Sequence, residues 1–411
     1  MRDPALDRRS KALLFEPARH EALLPARWDP PAARAWIARF ADDALHAWSP
    51  ETLWPMHALD RDEDGPPMTM MYFGAAGVMW ALDRFARAGA AESSPAFASA
   101  LDELLARNRS IVEPWGHGAE GLLMGQSGLL LLRYRLAPDD ATAEAVAAAI
   151  AANAAHPSLE LLWGSPSTMH AALTMHEWTA EPRWAALFRA DAQALRRALQ
   201  PAKGAPCRIW VQQLYGQTID YLGAGHGFAG NASAVVRGLA LLPDESAADF
   251  RNAIVETLQA AAIREGELAN WAPRLSPGTA PPQNKLVQWC HGAPGIVTSL
   301  ARLNDPRLDD DLNAAGELTW AAGPLAKGAG LCHGTAGNGF AFLKLFKRTG
   351  DSRWLERARS FAMHAMAQSD RHAGEYGQRR YSLWTGDAGV AWFLWNCIDG
   401  DDALPNLDPT D

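Results

Sequence analysis

The chain has little cysteine, no cluster of lysine and arginine, and no long apolar run. Its 411 residues include only 4 cysteines, which are too few for a disulfide framework. The formal net charge is −9, whereas nucleic-acid binding needs a basic surface that neutralises phosphates. No stretch approaches the run of about 18 apolar residues that a membrane-spanning helix requires. We therefore expect no nucleic-acid partner and no transmembrane segment.

The N-terminal residues do not resemble a targeting segment. The stretch 1–20 has basic side chains but lacks the apolar core of a secretory signal peptide. The sequence therefore predicts a cytoplasmic protein, whose cysteines stay reduced and available for metal binding or chemistry. A hydrophobic content of 48% is ample for a large buried core. Alternating strand patterns are scarce, apart from short stretches such as 208–212.

A Gly-x-x-Gly tetrad recurs along the chain, and each copy opens an apolar segment. One copy is degenerate, because Gly164 is followed by Ser167 instead of a second glycine. Self-similarity of this kind is the mark of a repeat architecture. Each interval between tetrads is long enough for two helices and two loops. The six intact tetrads occupy residues 74–77, 125–128, 227–230, 292–295, 334–337 and 386–389.

Two kinds of helix alternate in the pattern. Segments that follow the tetrads, such as GVMWALDRF at 77–85, are apolar nearly all round and are typical of helices buried on most sides. Segments between tetrads are amphipathic, and Phe250, Ile254 and Leu258 share one face of such a helix. We therefore predict an all-α fold, a closed α/α toroid (barrel) of seven helical hairpins in a single domain. An irregular helical bundle with incidental glycines is the alternative.

The motifs set the predicted limits of the ring at residues 69–400. No motif covers residues 1–68, which we interpret as an N-terminal helical segment that packs on the ring. Residues 401–411 are expected to form a C-terminal tail. Proline and glycine are enriched at 62–67 and 270–283, which predicts loops there.

Thiol and imidazole groups are concentrated just before three successive tetrads. Cys290-His291 and Cys332-His333 each stand directly before a tetrad, and His226 stands before the preceding one. Two thiolates and one imidazole form a set that zinc accepts, with the fourth tetrahedral position left for water or substrate. The helix N-terminus beside each cysteine lowers the pKa of a nearby thiol. The pattern predicts one zinc ion per chain and leaves open which histidine completes its ligands.

With these motifs the sequence resembles the lanthionine synthetase C-like (LanC-like) family. The motif sequences in the C-terminal third are more similar to those of the eukaryotic-type LanC-like proteins than to those of the bacterial lantibiotic cyclases. The resemblance implies a seven-fold α/α toroid with a zinc ion at its centre, and weaker repeats extend it over residues 70–396. The stretches that carry it are GAGHGFAG (223–230), WCHGAPG (289–295), KGAGLCHGTAGN (327–338) and YSLWTGDAGVAWFL (381–394).

Carried onto this sequence, the resemblance implies Cys290, Cys332 and His333 as the zinc ligands and His226 as the nearby acid/base residue. His291 adjoins a ligand without being implied as one, and it is placed to form a hydrogen bond in the site. Glu160 falls where lantibiotic cyclases carry an aspartate and eukaryotic relatives a glutamate. The resemblance implies a supporting or proton-handling role for Glu160, with helix capping as the alternative.

A glutathione site is also implied. Lys327, five residues before Cys332, matches a lysine that eukaryotic-type LanC-like proteins use to hold glutathione, and a solvated surface lysine is the alternative. An arginine before the last tetrad is expected to assist, and Arg379 or Arg380 can supply it. Thr385 departs from the family pattern, because eukaryotic relatives often have an acid at this position.

The implied activity is the zinc-dependent addition of a thiol, with glutathione as the expected co-substrate, to dehydroalanine or dehydrobutyrine residues. A coordinated thiol is deprotonated, and a protonated His226 can supply the proton for the α-carbon. The expected partners are glutathione or a peptide thiol and a peptide or protein that contains a dehydroamino acid.

Two other functions stay open at this point. One is an intramolecular lanthionine cyclase of a ribosomal peptide. The other is a zinc-stabilised glutathione- or peptide-binding protein without turnover. A carbohydrate-active toroid would need paired carboxylic acids at its mouth, where this sequence places cysteines.

Overall fold

The computed structural model describes residues 14–60, 66–92, 96–275 and 285–410. Fourteen α-helices in these ranges alternate between an inner and an outer layer. The inner helices are α2 (Ala75–Arg87), α4 (Gln126–Leu136), α6 (Ser165–Thr179), α8 (Phe228–Arg237), α10 (Ala293–Leu300), α12 (Thr335–Thr349) and α14 (Asp387–Asp399). The outer helices are α1 (Pro30–Ala47), α3 (Ala96–Val112), α5 (Asp140–Asn153), α7 (Pro182–Ala198), α9 (Asp244–Ala261), α11 (Asp309–Ala322) and α13 (Ser352–Tyr376).

The inner helices form a closed ring. Each inner helix packs against the next, and α14 packs back against α2. Outer helices cover this ring, so that α13 contacts both α12 and α14, and α1 contacts α14. The prediction of a single-domain, seven-fold α/α toroid is confirmed. Helix α1 lies within the N-terminal segment that was predicted to pack on the ring, while the limits of 69–400 stay a prediction.

Short β-hairpins complete the connections between helices. In the described ranges there are three antiparallel pairs, and none joins another to form a larger sheet. None of the described helices combines the length and the apolar character needed to cross a membrane. The pairs are β1 (Gln200–Pro201) with β2 (Arg208–Ile209), β3 (Gln212–Leu214) with β4 (Gln217–Ile219), and β5 (Ile263–Glu265) with β6 (Leu268–Asn270).

Inner and outer helices begin differently. Several outer helices have an aspartate N-cap, and the Asp29 carboxylate accepts a hydrogen bond from the Ala32 N–H at 3.0 Å. Every inner helix has the first glycine of its tetrad as N-cap. The free N–H groups at these helix starts therefore gather at one end of the ring, which we call the mouth.

The second glycine of the tetrad permits close packing of the inner helix against its own preceding loop. A Cβ atom at Gly337 would overlap the carbonyl oxygen of Leu331. In the degenerate copy Ser167 instead donates a hydrogen bond to the Gly164 carbonyl at 2.7 Å and accepts one from the Leu122 N–H at 3.1 Å. The tetrad thus marks a contact between a helix and a backbone, which only a very small residue permits.

The two residues before each tetrad, which we call the pre-tetrad pair, follow one another around the mouth. Backbone hydrogen bonds join the first members of neighbouring pairs in a run that we call the peptide belt. In the belt, N–H groups donate to carbonyls from Gly225 to Cys290, Cys290 to Cys332, Cys332 to Trp384, Trp384 to Tyr72, and Tyr72 to Leu123, at 2.8–3.3 Å.

The chain after α14 fills the opposite end of the ring. Leu404 and Leu407 are buried there, and the Leu407 carbonyl accepts a hydrogen bond from Arg237 at the end of α8. The Asp408 side chain, which is only 10% exposed, pairs with Lys344 of α12 at 2.6 Å. The described part of the predicted C-terminal tail therefore packs mainly inside the ring, and the mouth is the end that carries the polar site.

Candidate metal centre and its surroundings

Two cysteines and a histidine converge at the mouth. Cys290 and Cys332 are the first members of adjacent pre-tetrad pairs, and His333 is the second member of the same pair as Cys332. Potential ligand atoms of the three side chains all lie within 4.8 Å of one another. Both cysteines are buried and His333 is partly exposed. The peptide belt sets the spacing directly, because the Cys290 N–H donates to the Cys332 carbonyl at 3.0 Å.

The two thiols are electrostatically linked. A hydrogen bond from the Cys332 thiol lowers the pKa of Cys290 well below its usual value, since a thiolate is the better acceptor. The same bond, together with burial, raises the pKa of Cys332 well above its usual value. The Cys332 thiol thus stabilises a thiolate at Cys290, and the thiolate is the form of cysteine that binds metal ions.

The chemistry of this donor set fits zinc. The three potential ligand atoms, which all lie within 4.8 Å of one another, are close enough to bind a single zinc ion, whose bonds to sulfur are about 2.3 Å long. Soft thiolate donors with one imidazole select zinc over magnesium or calcium, which prefer oxygen ligands. With three protein ligands, one coordination position is left for an exchangeable group.

Two groups that sequence reasoning missed contact the sulfur atoms. The Gln288 side-chain amide donates to the Cys290 Sγ at 2.9 Å, and the Tyr72 side chain is hydrogen-bonded to the Cys332 thiol. Tyr72 stacks on Trp384 with ring centroids 6.2 Å apart. The repeat contained a signal for Tyr72, because Tyr72 occupies the same pre-tetrad position as Cys290 and Cys332.

The partly exposed His226 and the buried Glu160 form a pair beside the ligand cluster. The His226 Nδ1 lies 2.9 Å from the Glu160 Oε2, and Glu160 is fully buried. The same carboxylate accepts hydrogen bonds from the N–H groups of Leu162 at 2.9 Å and Trp163 at 2.6 Å. Glu160 therefore closes the turn before α6 and holds the imidazole by a hydrogen bond, while α6 itself begins at Gly164 without a side-chain cap.

The environment of His226 favours its protonated form. Burial acts to lower the pKa of His226, but the hydrogen bond and negative charge of Glu160 outweigh it, with a smaller contribution from Cys290, so that the pKa is raised. Because a carboxylate only accepts hydrogen bonds, the Nδ1 atom carries a proton. The Nε2 atom is then the one available to give or take a proton at the mouth.

His291 lies on the same side of the mouth as His226. Its ring centroid is 5.3 Å from that of Tyr221 and 6.4 Å from that of His226. Its Nδ1 atom is buried and has no hydrogen-bond partner among the described residues. Burial lowers the pKa of His291, which favours a neutral ring.

A cavity of about 360 Å³ opens beside the ligand cluster. We call it the cationic pocket, because Lys327 and Arg380 line it, together with His333 and Tyr72. The other lining residues are Leu59, Asp60, Phe73 and Thr385. The structure thus brings a predicted metal ligand and two predicted glutathione-binding residues to one cavity.

The two neighbouring arginines take different directions. The Arg380 Nε donates to the Asp60 Oδ2 at 2.7 Å, and its Nη2 also pairs with Asp60. The Arg379 Nε instead donates to Asp43 of α1 at 2.7 Å. Arg379 also lies over the Trp36 ring at 5.1 Å. Of the two candidates, Arg380 is the one in the cationic pocket.

Comparison with known proteins identifies a family and relatives that match part of the chain. Residues 56–408 match the family model described as lanthionine synthetase C-like protein. A segment of 190 residues is 33% identical to "Glutathione S-transferase LANCL1" of Danio rerio, covering 45% of this chain and 43% of that protein. A segment of 122 residues is 40% identical to "LanC-like protein GCL1" of Arabidopsis thaliana, covering 27% and 28%. The matched segments therefore span less than half the length of either curated relative.

A solved structure supports the fold. Nisin cyclase superposes with a TM-score of 0.60 at 14% identity, over 89% of this chain and 93% of that one. At this identity the likeness concerns the architecture alone. Both curated relatives are eukaryotic LanC-like proteins, as the motif sequences in the C-terminal third predicted. The family match covers most of the chain, and the protein belongs to the lanthionine synthetase C-like family.

Proposed function

We propose that this protein adds the thiol of glutathione to dehydroalanine or dehydrobutyrine residues in peptides or proteins, in a zinc-dependent reaction that forms a thioether. The observation that carries the proposal is the position of His333, which belongs to the ligand cluster and also lines the cationic pocket. A small molecule whose carboxylates are bound in that pocket would therefore have its thiol beside the residues that would hold zinc. The printed name of the Danio rerio relative supports glutathione as the donor.

Glutathione is an anionic tripeptide, and the cationic pocket has suitable groups for it. Lys327 provides a point charge for one carboxylate, and Arg380, whose Nε and Nη2 pair with Asp60, can donate from Nη1 to a second carboxylate. Asp60 holds that guanidinium at the pocket wall. The pocket volume of about 360 Å³ lies within the usual range for small-molecule sites.

Cys290, Cys332 and His333 would hold the zinc ion. When bound there, zinc would lower the pKa of an incoming thiol so that it reacts as a thiolate. The thiolate sulfur bonds to the β-carbon of the dehydroamino acid, and the electrons of the carbon–carbon double bond move toward the carbonyl as an enolate. The product needs one proton on the α-carbon.

His226 is the group placed to deliver that proton. Its raised pKa favours the protonated ring, and the hydrogen bond from Nδ1 to Glu160 leaves Nε2 as the atom that can donate a proton. The proton released by the glutathione thiol replaces the one that His226 gives up, by way of solvent. The overall reaction joins a thiol and an alkene without an oxidant or a leaving group.

We place the protein in the cytoplasm, because all four cysteines are free thiols.

The test combines metal content with catalysis. We would measure zinc by elemental analysis and glutathione addition to a dehydrobutyrine peptide by mass spectrometry, for the wild type, Cys290→Ala and Cys332→Ala. Cys207→Ala is the matched control, since Cys207 is equally buried but contacts Thr257 of the outer helix α9 and is not part of the ligand cluster. One equivalent of zinc and full addition, both lost in the two site variants and kept in the control, support the proposal.

Other outcomes separate the alternatives. A folded, metal-free wild type that still forms the thioether would contradict the zinc requirement. A zinc-loaded wild type that binds glutathione without forming product would identify a binding protein. A peptide with its own cysteine that closes to a ring faster than glutathione adds would identify an intramolecular cyclase.

A further inference from the structure

The mouth has two flanks of different chemistry. One flank, formed before α12, α14 and α2, contains the cationic pocket. The other, formed before α4, α6 and α8, is rich in aromatic side chains that the reaction described above does not use. His226 lies between this second flank and the ligand cluster. The aromatic flank therefore adjoins His226, the residue that would donate the proton.

Four rings extend from His226 in an unbroken series, and we call these four the aromatic track. Tyr215 lies 5.9 Å from His226, His117 lies 4.7 Å from Tyr215, Trp163 lies 5.6 Å from His117, and Trp115 lies 6.0 Å from Trp163, between ring centroids. Trp163 is buried and supports the track from below. Its Nε1 donates to the Tyr215 hydroxyl at 3.3 Å.

The outer members of the track are exposed to an unusual degree. Tyr215 is 50% exposed and Trp115 is 37% exposed, which places both among the few large exposed hydrophobic residues of the described chain. Exposed aromatic groups that adjoin a site often bind a partner, because their rings provide large contact area with little loss of side-chain freedom. The track is therefore suited to bind an extended, weakly charged chain.

The backbone at Tyr215 is strained in a way that supports a binding role. Tyr215 and Gly216 form the two-residue turn between β3 and β4, with φ angles of 53° and 72°. Such turns favour asparagine, aspartate or glycine, whereas an aromatic residue with positive φ is uncommon. The hairpin is anchored where the Gln213 N–H donates to the Pro157 carbonyl at 3.0 Å. A rigid hairpin thus holds a tyrosine in an unfavourable conformation over the mouth.

We propose that the aromatic track binds the peptide that contains the dehydroamino acid, with preference for aromatic or aliphatic neighbours of that residue. This inference rests on the proposed function, because the α-carbon that receives the proton must lie against His226. Residues next to the dehydroamino acid then lie over Tyr215 and His117. Dehydration of serine or threonine leaves a planar, uncharged group, which stacks well on such rings. The two substrates thus meet at the metal centre from opposite flanks.

The test uses two nine-residue peptides with a central dehydrobutyrine, one flanked by phenylalanines and one by glutamines. Binding to the zinc-loaded protein without glutathione is measured by calorimetry, and kcat and KM are measured with glutathione. We compare the wild type with Tyr215→Asn, which suits the turn better than tyrosine and so should fold. Tyr376→Asn is the matched control, since Tyr376 is 43% exposed and contacts His57 and His372 instead of the track.

We expect Tyr215→Asn to raise Kd and KM for the phenylalanine peptide about tenfold, and to leave the KM for glutathione unchanged. The control should behave as the wild type. Equal Kd values for both peptides, unchanged in Tyr215→Asn, would overturn the track even if thioether formation is normal. If peptide binding depends on Tyr215 but the protein forms no thioether, the peptide-binding role of the track is supported and the proposed reaction is rejected.

Discussion

The Glu160 carboxylate accepts a hydrogen bond from the His226 Nδ1 at 2.9 Å, although the two residues are 66 positions apart in the chain. Glu160 is fully buried and also closes the turn before α6. The pair therefore links the start of one inner helix to the proton donor before the next. The role of this pair in proton transfer can be measured separately from its contribution to folding.

Substitution of His226 tests the proton-transfer step. His226→Asn should lower kcat for thiol addition by about 10²–10⁴, because general acid catalysis contributes about that factor. The zinc content and the KM for glutathione should be unchanged, since His226 is outside the ligand cluster and the cationic pocket. Steady-state kinetics with parallel metal analysis make the measurement. Loss of zinc in this variant would show that His226 acts on the metal site instead.

Glu160 should act through the pKa of His226. This pKa is raised in the folded protein, so activity that needs protonated His226 is present at low pH and lost as the pH rises through the folded pKa. In Glu160→Gln the hydrogen-bonded anion is gone, and the alkaline limb of kcat should move to lower pH. A pH–rate profile measures this limb. A uniform fall of kcat at every pH, with the limb unmoved, would indicate a purely structural role for Glu160.

The two cations of the cationic pocket should act on binding alone. Lys327→Met and Arg380→Met should each raise the KM for glutathione about 10- to 100-fold, because a hydrogen bond to a charged group contributes about 1.5–3 kcal/mol. The kcat value should change little, as expected when an interaction is equal in ground and transition states. Lys347→Met, at an exposed lysine away from the mouth, is the control. An unchanged KM in both site variants would remove the assignment of glutathione to this cavity.

The second tetrad glycine can be tested by stability. Gly337→Ala should lower the free energy of unfolding by about 1–3 kcal/mol or more, because its Cβ would overlap the Leu331 carbonyl. Gly374→Ala is the matched control, since Gly374 lies in α13 and a Cβ there has open space. That control should be stabilised by about 0.5–1 kcal/mol. Denaturant unfolding compares the two, and equal stabilities would contradict the close-packing role.

The ion pair at the end opposite the mouth should control acid stability. Burial acts to raise the pKa of Asp408, but the charges of Lys344 and Arg302 bring it down to about 2. A pKa depressed in the folded state stabilises the fold above the unfolded value of about 3.9, and this contribution is lost as the pH falls toward the folded value. The contribution at neutral pH is roughly 2 kcal/mol.

Asp408→Asn tests this pair. The variant should be less stable than the wild type at pH 7, and its stability should fall less steeply between about pH 4 and pH 2. Thermal unfolding monitored across this range makes the comparison, with exposed Asp310→Asn as control. Parallel acid dependence in Asp408→Asn and the wild type would exclude Asp408 as the titrating group.

Much of the ring follows from local patterns in the sequence. The tetrads predict the inner helix starts because close packing excludes larger residues there. Cys290 and Cys332 could be selected because each stands at the same place before a tetrad, so the repeat itself brings them to adjacent positions around the mouth. The same reasoning indicates Tyr72, which was missed because the search was for zinc-binding side chains and tyrosine is not among the usual zinc ligands.

Other parts of the site depend on contacts between distant segments. Arg379 and Arg380 are neighbours in one loop, and the difference between them comes from Asp43 and Asp60, which lie 336 and 320 residues earlier, respectively. No local pattern contains that information. The aromatic track was equally hidden, because its rings come from separate loops and Tyr215 lies in a turn where sequence rules favour other residues.

The peptide belt has a consequence for how this architecture can change. Main-chain groups fix the position of each first pre-tetrad residue, and the side chain at that position makes no contribution to the belt itself. Cysteine, tyrosine, tryptophan, leucine and glycine already occupy equivalent places on it. Substitutions at these positions can therefore change the chemistry of the mouth without removing a main-chain hydrogen bond of the peptide belt.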